Sequence, residues 1–135
     1  MAEFELHPQL AKDSLHLADW PLSQVRVIND ANFPWFLLVP RIPNIIEVID
    51  LSENDQQQLW RESAFLNHWL KAEYRPDKLN LAAIGNKVPQ LHLHHIARYT
   101  DDPAWPDPVW GRLPPQPLAE QEVVRLQQVF RELTL

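Results

Sequence analysis

The 135-residue chain contains no cysteine and only two glycines, although it contains 13 prolines. Without cysteine, the protein forms neither disulfide bonds nor thiolate metal sites, which suits the cytoplasmic location that we expect. Because glycine is so scarce, most turns must be made by proline, asparagine and aspartate.

Basic residues and long apolar runs are also scarce. The formal net charge is -6 at pH 7, so we expect no nucleic-acid partner, because binding to nucleic-acid phosphates depends on a concentrated basic surface. No apolar run approaches the roughly 20 residues that a membrane-spanning helix requires, and Met1–His7 lacks the features of a secretion signal. We therefore expect neither membrane insertion nor secretion, and we expect residues 1–135 to form one globular domain.

The first half of the chain predicts a hairpin. Residues 4–13 favour a short helix interrupted by Pro8, and residues 14–18 favour a strand. Residues 24–28 then alternate as a strand does, residues 29–32 supply turn chemistry, and the continuous apolar run at 35–39 predicts a buried partner strand that ends at Pro40.

The second half of the chain predicts two helices separated by strands. Ser52 is predicted to be the N-cap of a long amphipathic helix that must end before Pro76. Strands are predicted at residues 78–83 and 88–98, followed by a proline-rich loop at 103–117. The closing amphipathic helix carries an apolar stripe of Val123, Leu126, Phe130 and Leu133. Strand pairs with short turns and no βαβ alternation indicate an α+β domain with an antiparallel sheet.

Three of the six histidines lie within the predicted strand that ends at Arg98. Because successive side chains of a strand point to opposite faces, Gln90, His92 and His94 share one face, and His95 lies on the other with leucines. Two imidazoles on one face suit nucleophilic or acid–base chemistry, although a solvated polar face is the simpler alternative.

A metal site is a further interpretation of these histidines. Since His95 points away from His92 and His94, one regular strand cannot supply three converging ligands. A zinc site would need additional ligands from elsewhere, for example His7 or His16. We therefore predict no metal and no cofactor.

The segment from Gln90 to Arg98 resembles the motif of the histidine-triad (HIT) proteins, which are nucleotide hydrolases and transferases. Their strand reads His-φ-His-φ-His-φ-φ, where φ is apolar, and an arginine often follows. When Arg98 is placed on that arginine, Gln90, His92 and His94 occupy the three histidine positions, with glutamine replacing the first histidine.

Other segments support the resemblance over roughly residues 24 to 112. Gly85-Asn86 stands where many members have a Gly-Gln pair, and the segment 36–41 is similar to a family strand that ends in proline and a basic residue. Residues 33–35 and 102–111 are similar to a bacterial subgroup.

The resemblance implies a HIT-like fold, with an antiparallel sheet of about five strands, one long helix and a C-terminal helix. It also implies a nucleotide as the small-molecule substrate and a homodimer whose sheet extends across the two-fold axis. Trp105 and Trp110 would reach the active site or the partner subunit, or else cap the core.

The family's central histidine attacks the α-phosphorus of a nucleotide, so the resemblance assigns the nucleophile to His92, with a nucleotidyl-histidine intermediate. His94 would bind phosphate oxygens and help to protonate the leaving group. Gln90 cannot carry a titrating proton. The resemblance therefore implies either an enzyme, a nucleotide phosphohydrolase or nucleotidyl transferase that acts on dinucleoside polyphosphates or similar nucleotides, or a nucleotide-binding module with little or no turnover. A metal-binding or purely oligomeric protein, in which the histidine strand is incidental, is the third alternative.

Four further residues are implied to bind the nucleotide. Asn86 would donate to the leaving phosphate, and Asn29 or Asp30 would accept from ribose hydroxyls. Arg98 would provide positive potential for a polyphosphate. The alternatives are that Asn86, Asn29 and Asp30 are only turn residues, and that the arginine is simply solvated.

Overall fold

The computed structural model describes residues 3–135, so the first two residues of the predicted domain lie outside it. The strands are β1 (Ser14–Asp19), β2 (Ser23–Ile28), β3 (Trp35–Pro40), β4 (Lys78–Ala82) and β5 (Leu93–Arg98). They form one antiparallel sheet in the order β1-β2-β3-β5-β4. The helices are α1 (Pro8–Asp13), α2 (Glu53–Tyr74) and α3 (Glu120–Glu132). The predicted α+β architecture with a five-stranded antiparallel sheet is confirmed.

The histidine-bearing strand β5 lies between β3 and β4, and His94 pairs with Leu37 of β3. The predicted strand over residues 88–98 begins only at Leu93, because Pro89 has no N–H to donate and the Leu91 N–H binds the Ile45 carbonyl instead of a neighbouring strand. His92 therefore lies at the junction between a loop and the strand.

Both long helices pack on one face of the sheet. Ser52 caps α2 by accepting a hydrogen bond from the Asp55 N–H at 3.1 Å. The helix ends at Tyr74, and the C-cap residue Arg75 has a left-handed φ of 47° directly before Pro76. Leu66 of α2 and Phe130 of α3 are buried in the same apolar cluster as Phe36 of β3. This face is the main hydrophobic core.

The opposite face carries His92 and His94. It is partly covered by the N-terminal segment, whose Leu6 packs with Leu10, Leu37 and Val88, and by the proline-rich loop, whose Ala104 and Val109 pack with Phe33 and Ile96. None of the helices in residues 3–135 is long and apolar enough to cross a membrane.

His95 lies on the helix-covered face and is fully buried. Its Nδ1 donates to the Leu93 carbonyl at 3.0 Å, so Nε2 accepts from the Ser63 hydroxyl at 2.8 Å. Burial lowers the pKa of His95 to about 4, although hydrogen bonds to the Leu93 and Phe36 backbone oppose the shift. The folded protein therefore keeps this imidazole neutral.

We expect the neutral His95 to make stability fall in mild acid. Between pH 6.5 and about 4 the unfolded chain binds a proton that the folded site excludes, and a pKa shift from 6.5 to about 4 corresponds to about 3 kcal/mol. This loss begins as the pH falls below 6.5. Urea unfolding at a series of pH values should show a shallower acid loss for His95→Gln than for the wild type. The exposed His68→Gln is the matched control, and equal pH slopes for wild type and His95→Gln would contradict the assignment.

Candidate active site

His92 and His94 form the centre of the candidate site. Their ring centroids are 4.9 Å apart, and their exposed fractions are only 7% and 5%. A narrow groove lined by His92, Gly85 and Leu91 opens beside them. Within residues 3–135, no group of three or more His, Asp or Glu side chains converges as metal binding would require.

The tautomer of His92 is set by a backbone carbonyl. Nδ1 lies 2.7 Å from the Gln90 carbonyl oxygen, and because a carbonyl only accepts, Nδ1 must carry the proton. Burial lowers the pKa of His92, the Gln90 contact opposes that shift, and the nearby His7 reinforces it. The neutral ring therefore presents the Nε2 lone pair, which is the form that a nucleophile needs.

Gly85 allows the loop before His92 to approach the imidazole closely. Its φ is +64°, and a Cβ at this position would come within 3.0 Å of the Val88 carbonyl oxygen and 3.8 Å of His92 Cε1. A side chain here would therefore strain the backbone and crowd the loop. Asn86 follows directly and is exposed, next in the chain to the groove-lining Gly85.

His94 has the opposite tautomer. Its Nδ1 lies 2.9 Å from Trp35 Nε1, and because an indole nitrogen only donates, Nδ1 accepts and the neutral ring carries its proton on Nε2. Burial, followed by the proximity of His92 and His95, lowers the pKa of His94 to about 3. The predicted hydrogen bond from His94 to a phosphate oxygen fits this arrangement, whereas the predicted protonation of the leaving group does not.

The side-chain amide of Gln90 holds the N-terminal segment. Its Oε1 accepts from the His7 N–H at 2.8 Å, and its Nε2 donates to the Glu5 carbonyl at 2.8 Å. An amide presents a donor and an acceptor side by side, as a backbone peptide group does. The structure thus gives Gln90 a positioning contact that sequence reasoning missed.

The side chains of Asn29 and Asp30 both bind the end of the proline-rich loop. Asn29 Oδ1 accepts from the Leu118 N–H at 2.8 Å, and Asp30 Oδ1 accepts from the N–H groups of Asn32 at 2.9 Å and Gln116 at 3.2 Å. These contacts connect the β2–β3 turn to a loop more than 80 residues away, which no sequence signal indicated.

Arg98 is placed inside the protein, with an exposed fraction of 1%. Its guanidinium makes two contacts to Asp102, at 2.8 and 3.0 Å, and a third to Asn80 Oδ1 at 2.9 Å. Burial opposes ionisation of Asp102, but hydrogen bonds from Arg98 and from the backbone outweigh it and lower the pKa of that carboxyl to about 2. A phosphate contact from Arg98 does not fit this geometry, since Asp102 and Asn80 occupy the guanidinium.

Solved structures of similar shape include histidine triad proteins from three bacteria. The protein from Bradyrhizobium japonicum is 48% identical, with a TM-score of 0.93, over 96% of this chain and 97% of that chain. The protein from Marinobacter aquaeolei VT8 is 45% identical, with a TM-score of 0.91, over 94% and 93%. The protein from Sinorhizobium meliloti 1021 is 38% identical, with a TM-score of 0.92, over 96% of each chain.

Two further comparisons concern the sequence. A bis(5'-adenosyl)-triphosphatase of Saccharomyces cerevisiae is 29% identical over 68 residues, which are 47% of this chain and 33% of that relative's length. The family model described as HIT domain matches residues 9–101. With the motif strand, the antiparallel fold and these similarities in agreement, the chain belongs to the HIT domain family.

Proposed function

We propose that the protein is a nucleotide phosphohydrolase or nucleotidyl transferase that acts through His92. The observation that carries the proposal is the pair of opposite tautomers: the His92 Nε2 lone pair stands beside an imidazole whose Nε2 carries a proton. A phosphoryl group requires both, because its phosphorus accepts the nucleophile while its oxygens accept hydrogen bonds.

In the proposed first step, His92 Nε2 attacks the α-phosphorus, and the bond from phosphorus to the bridging oxygen breaks. Its electron pair leaves with the departing phosphate, and His92 becomes a positively charged nucleotidyl-imidazolium. The Gln90 carbonyl stabilises that charge through the Nδ1–H. Water or another acceptor then attacks phosphorus, the electron pair of the P–N bond returns to Nε2, and the proton of the acceptor passes to solvent.

The leaving group in this scheme departs without a proton from the site. Neither Gln90 nor a His94 with a pKa of about 3 acts as a general acid at neutral pH. Such a site suits leaving groups that are stable as anions, so we propose dinucleoside polyphosphates or similar activated nucleotides as substrates. For the remaining contacts we propose Asn86 at the leaving phosphate, and half-buried Asn29 in preference to buried Asp30 at the ribose.

Incubation with diadenosine triphosphate tests the proposed function. We expect release of AMP and ADP, separated by anion-exchange chromatography, in the presence of a chelator, because no step uses a metal. Calorimetric titration with AMP measures nucleotide binding in parallel. Binding without release of products would favour the alternative, a nucleotide-binding module, and would contradict the hydrolase.

The variant Gln90→His separates the two candidate roles of Gln90. If the only effect of Gln90 is that the first triad position lacks a titrating histidine, the variant should gain activity. We expect instead a loss of about tenfold in kcat/KM and of about 1–2 kcal/mol in stability, because two hydrogen bonds to the N-terminal segment are lost. Hydrogen exchange of the His7 amide should accelerate. A faster enzyme with an unchanged exchange rate would contradict the positioning role.

We also propose that the protein is a homodimer. Strand β4 is an edge of the sheet, and Leu81 on this strand and Ile84 beyond it are exposed, with fractions of 43% and 42%. An unpaired edge with apolar side chains suits extension of the sheet by a second copy. Sedimentation equilibrium measures the mass in solution, and a monomer at all concentrations would contradict the dimer.

A further inference from the structure

Trp35 stands directly beside the catalytic pair. It opens β3, and its partner across the sheet is Ile96, two residues beyond His94 on β5. Its indole N–H reaches His94 Nδ1 at 2.9 Å. Because the indole nitrogen has no acceptor lone pair, this contact exists only while His94 Nδ1 is unprotonated.

The Trp35 indole is itself held by aromatic neighbours. Phe33 and Trp110 meet it edge-on, with centroid distances of 6.4 and 5.9 Å, and Trp110 also meets His94 edge-on at 5.1 Å. The Trp110 Nε1 is buried and has no hydrogen-bond partner within residues 3–135. The two indoles therefore differ: both pack near His94, but only Trp35 binds its ring nitrogen.

The charged and titratable groups around His94 do not favour its protonation. His92 lies on the same side, 4.9 Å between ring centroids, and His95 follows on the other face of β5. Both lower the pKa of His94 in addition to burial. The Asp102 carboxylate, on the same side of the sheet, is committed to Arg98. Among residues 3–135, no carboxylate forms a hydrogen bond or an ion pair with His94 that would stabilise an imidazolium.

We propose that Trp35 is a positioning residue that fixes His94 as a neutral imidazole with its proton on Nε2, so that the bound phosphate meets a permanent hydrogen-bond donor and never an acid. This inference rests on the proposed function for its consequence in catalysis. Trp35 thereby favours substrates whose leaving group departs as an anion over substrates whose leaving group is an amine and needs a proton.

The tautomer can be observed without any substrate. In ¹⁵N-labelled wild-type protein, we expect a scalar coupling across the hydrogen bond between Trp35 Nε1 and His94 Nδ1, and a His94 ring that stays in the Nε2–H form from pH 8 to pH 5. Absence of this coupling, or a His94 ring that protonates within that range, would overturn the inference with no variant needed.

Two tryptophan variants provide the matched comparison. Trp35→Phe removes the donor, so His94 should populate both tautomers and titrate at a higher pH. Trp110→Phe removes an indole N–H that forms no hydrogen bond in the described part of the chain, so the His94 tautomer should not change. The same tautomer shift in both variants would show general packing instead of a specific hydrogen bond, and would overturn the inference.

Turnover of two substrates tests whether the His94 tautomer decides which leaving group is preferred. For Trp35→Phe we expect kcat with diadenosine triphosphate to fall about 3- to 10-fold, the effect of one hydrogen bond. Turnover of adenosine 5'-phosphoramidate relative to diadenosine triphosphate should rise below pH 6. An unchanged ratio overturns the inference. If the wild type shows the coupling but turns over neither substrate, the proposed function fails while the assignment of Trp35 stands.

Discussion

Replacement of His92 by alanine is expected to reduce turnover of diadenosine triphosphate by at least about 10³-fold, because no other described side chain offers a lone pair at the same place. The His92 ring is held by the Gln90 carbonyl at 2.7 Å, and Gly85 shapes the loop beside it. Its neighbour His94 has its lone pair directed at Trp35, so it cannot replace the nucleophile. Single-turnover kinetics measures the chemical step without interference from product release.

The control for this experiment is an exposed histidine whose only side-chain hydrogen bond within residues 3–135 is local. His16 of β1 pairs with Asp19 at 2.9 Å and has a side-chain exposure of 48%, so His16→Ala should retain full activity. AMP binding by His92→Ala, measured by calorimetry, should be nearly unchanged, since the ring is used mainly for bond formation. Turnover that survives in His92→Ala would exclude the catalytic role.

Replacement of Arg98 by methionine is expected to destabilise the protein by about 3–5 kcal/mol, because it leaves the Asp102 carboxylate buried without its partner. The pair is almost inaccessible, with side-chain exposures of 2% for Arg98 and 5% for Asp102. The substitution also removes the hydrogen bond from the guanidinium to Asn80 of β4. Urea unfolding followed by tryptophan fluorescence measures the change in unfolding free energy.

A second arginine–aspartate pair, in the loop that follows β5, is the matched control. Arg112 and Asp107 form an ion pair in which both side chains are 49% exposed, and exposed pairs contribute about 0–1 kcal/mol. Arg112→Met should therefore cost less than about 1 kcal/mol. Equal losses in the two variants would show that burial does not decide the contribution of Arg98.

The regular elements could be predicted because their signals are local. The alternation of residues 24–28, the apolar run before Pro40 and the Ser52 cap each depend on neighbours in the chain, and the structure has β2, β3 and α2 at these places. The faces of β5 followed from the two-residue period of a strand, which separates His94 from His95.

The contacts of the candidate site depended on register and on long-range pairing. Trp35 meets His94 because β3 and β5 are adjacent in a particular register, which no spacing in the sequence specifies. Gln90 binds a segment more than 80 positions earlier. For Arg98, the motif correctly placed the residue at the end of the strand, but the buried partner Asp102, four residues later, decides what the guanidinium does.

We expect His92 to become covalently attached to the nucleotide through Nε2 during turnover. To detect this intermediate, the wild-type protein is mixed with radiolabelled diadenosine triphosphate, the reaction is quenched rapidly, and the peptides are examined by mass spectrometry. We expect an adenylyl group on His92 that is stable in alkali and labile in acid, and absent from His92→Ala. Turnover without any adduct, or an adduct on another residue, would contradict catalysis through His92.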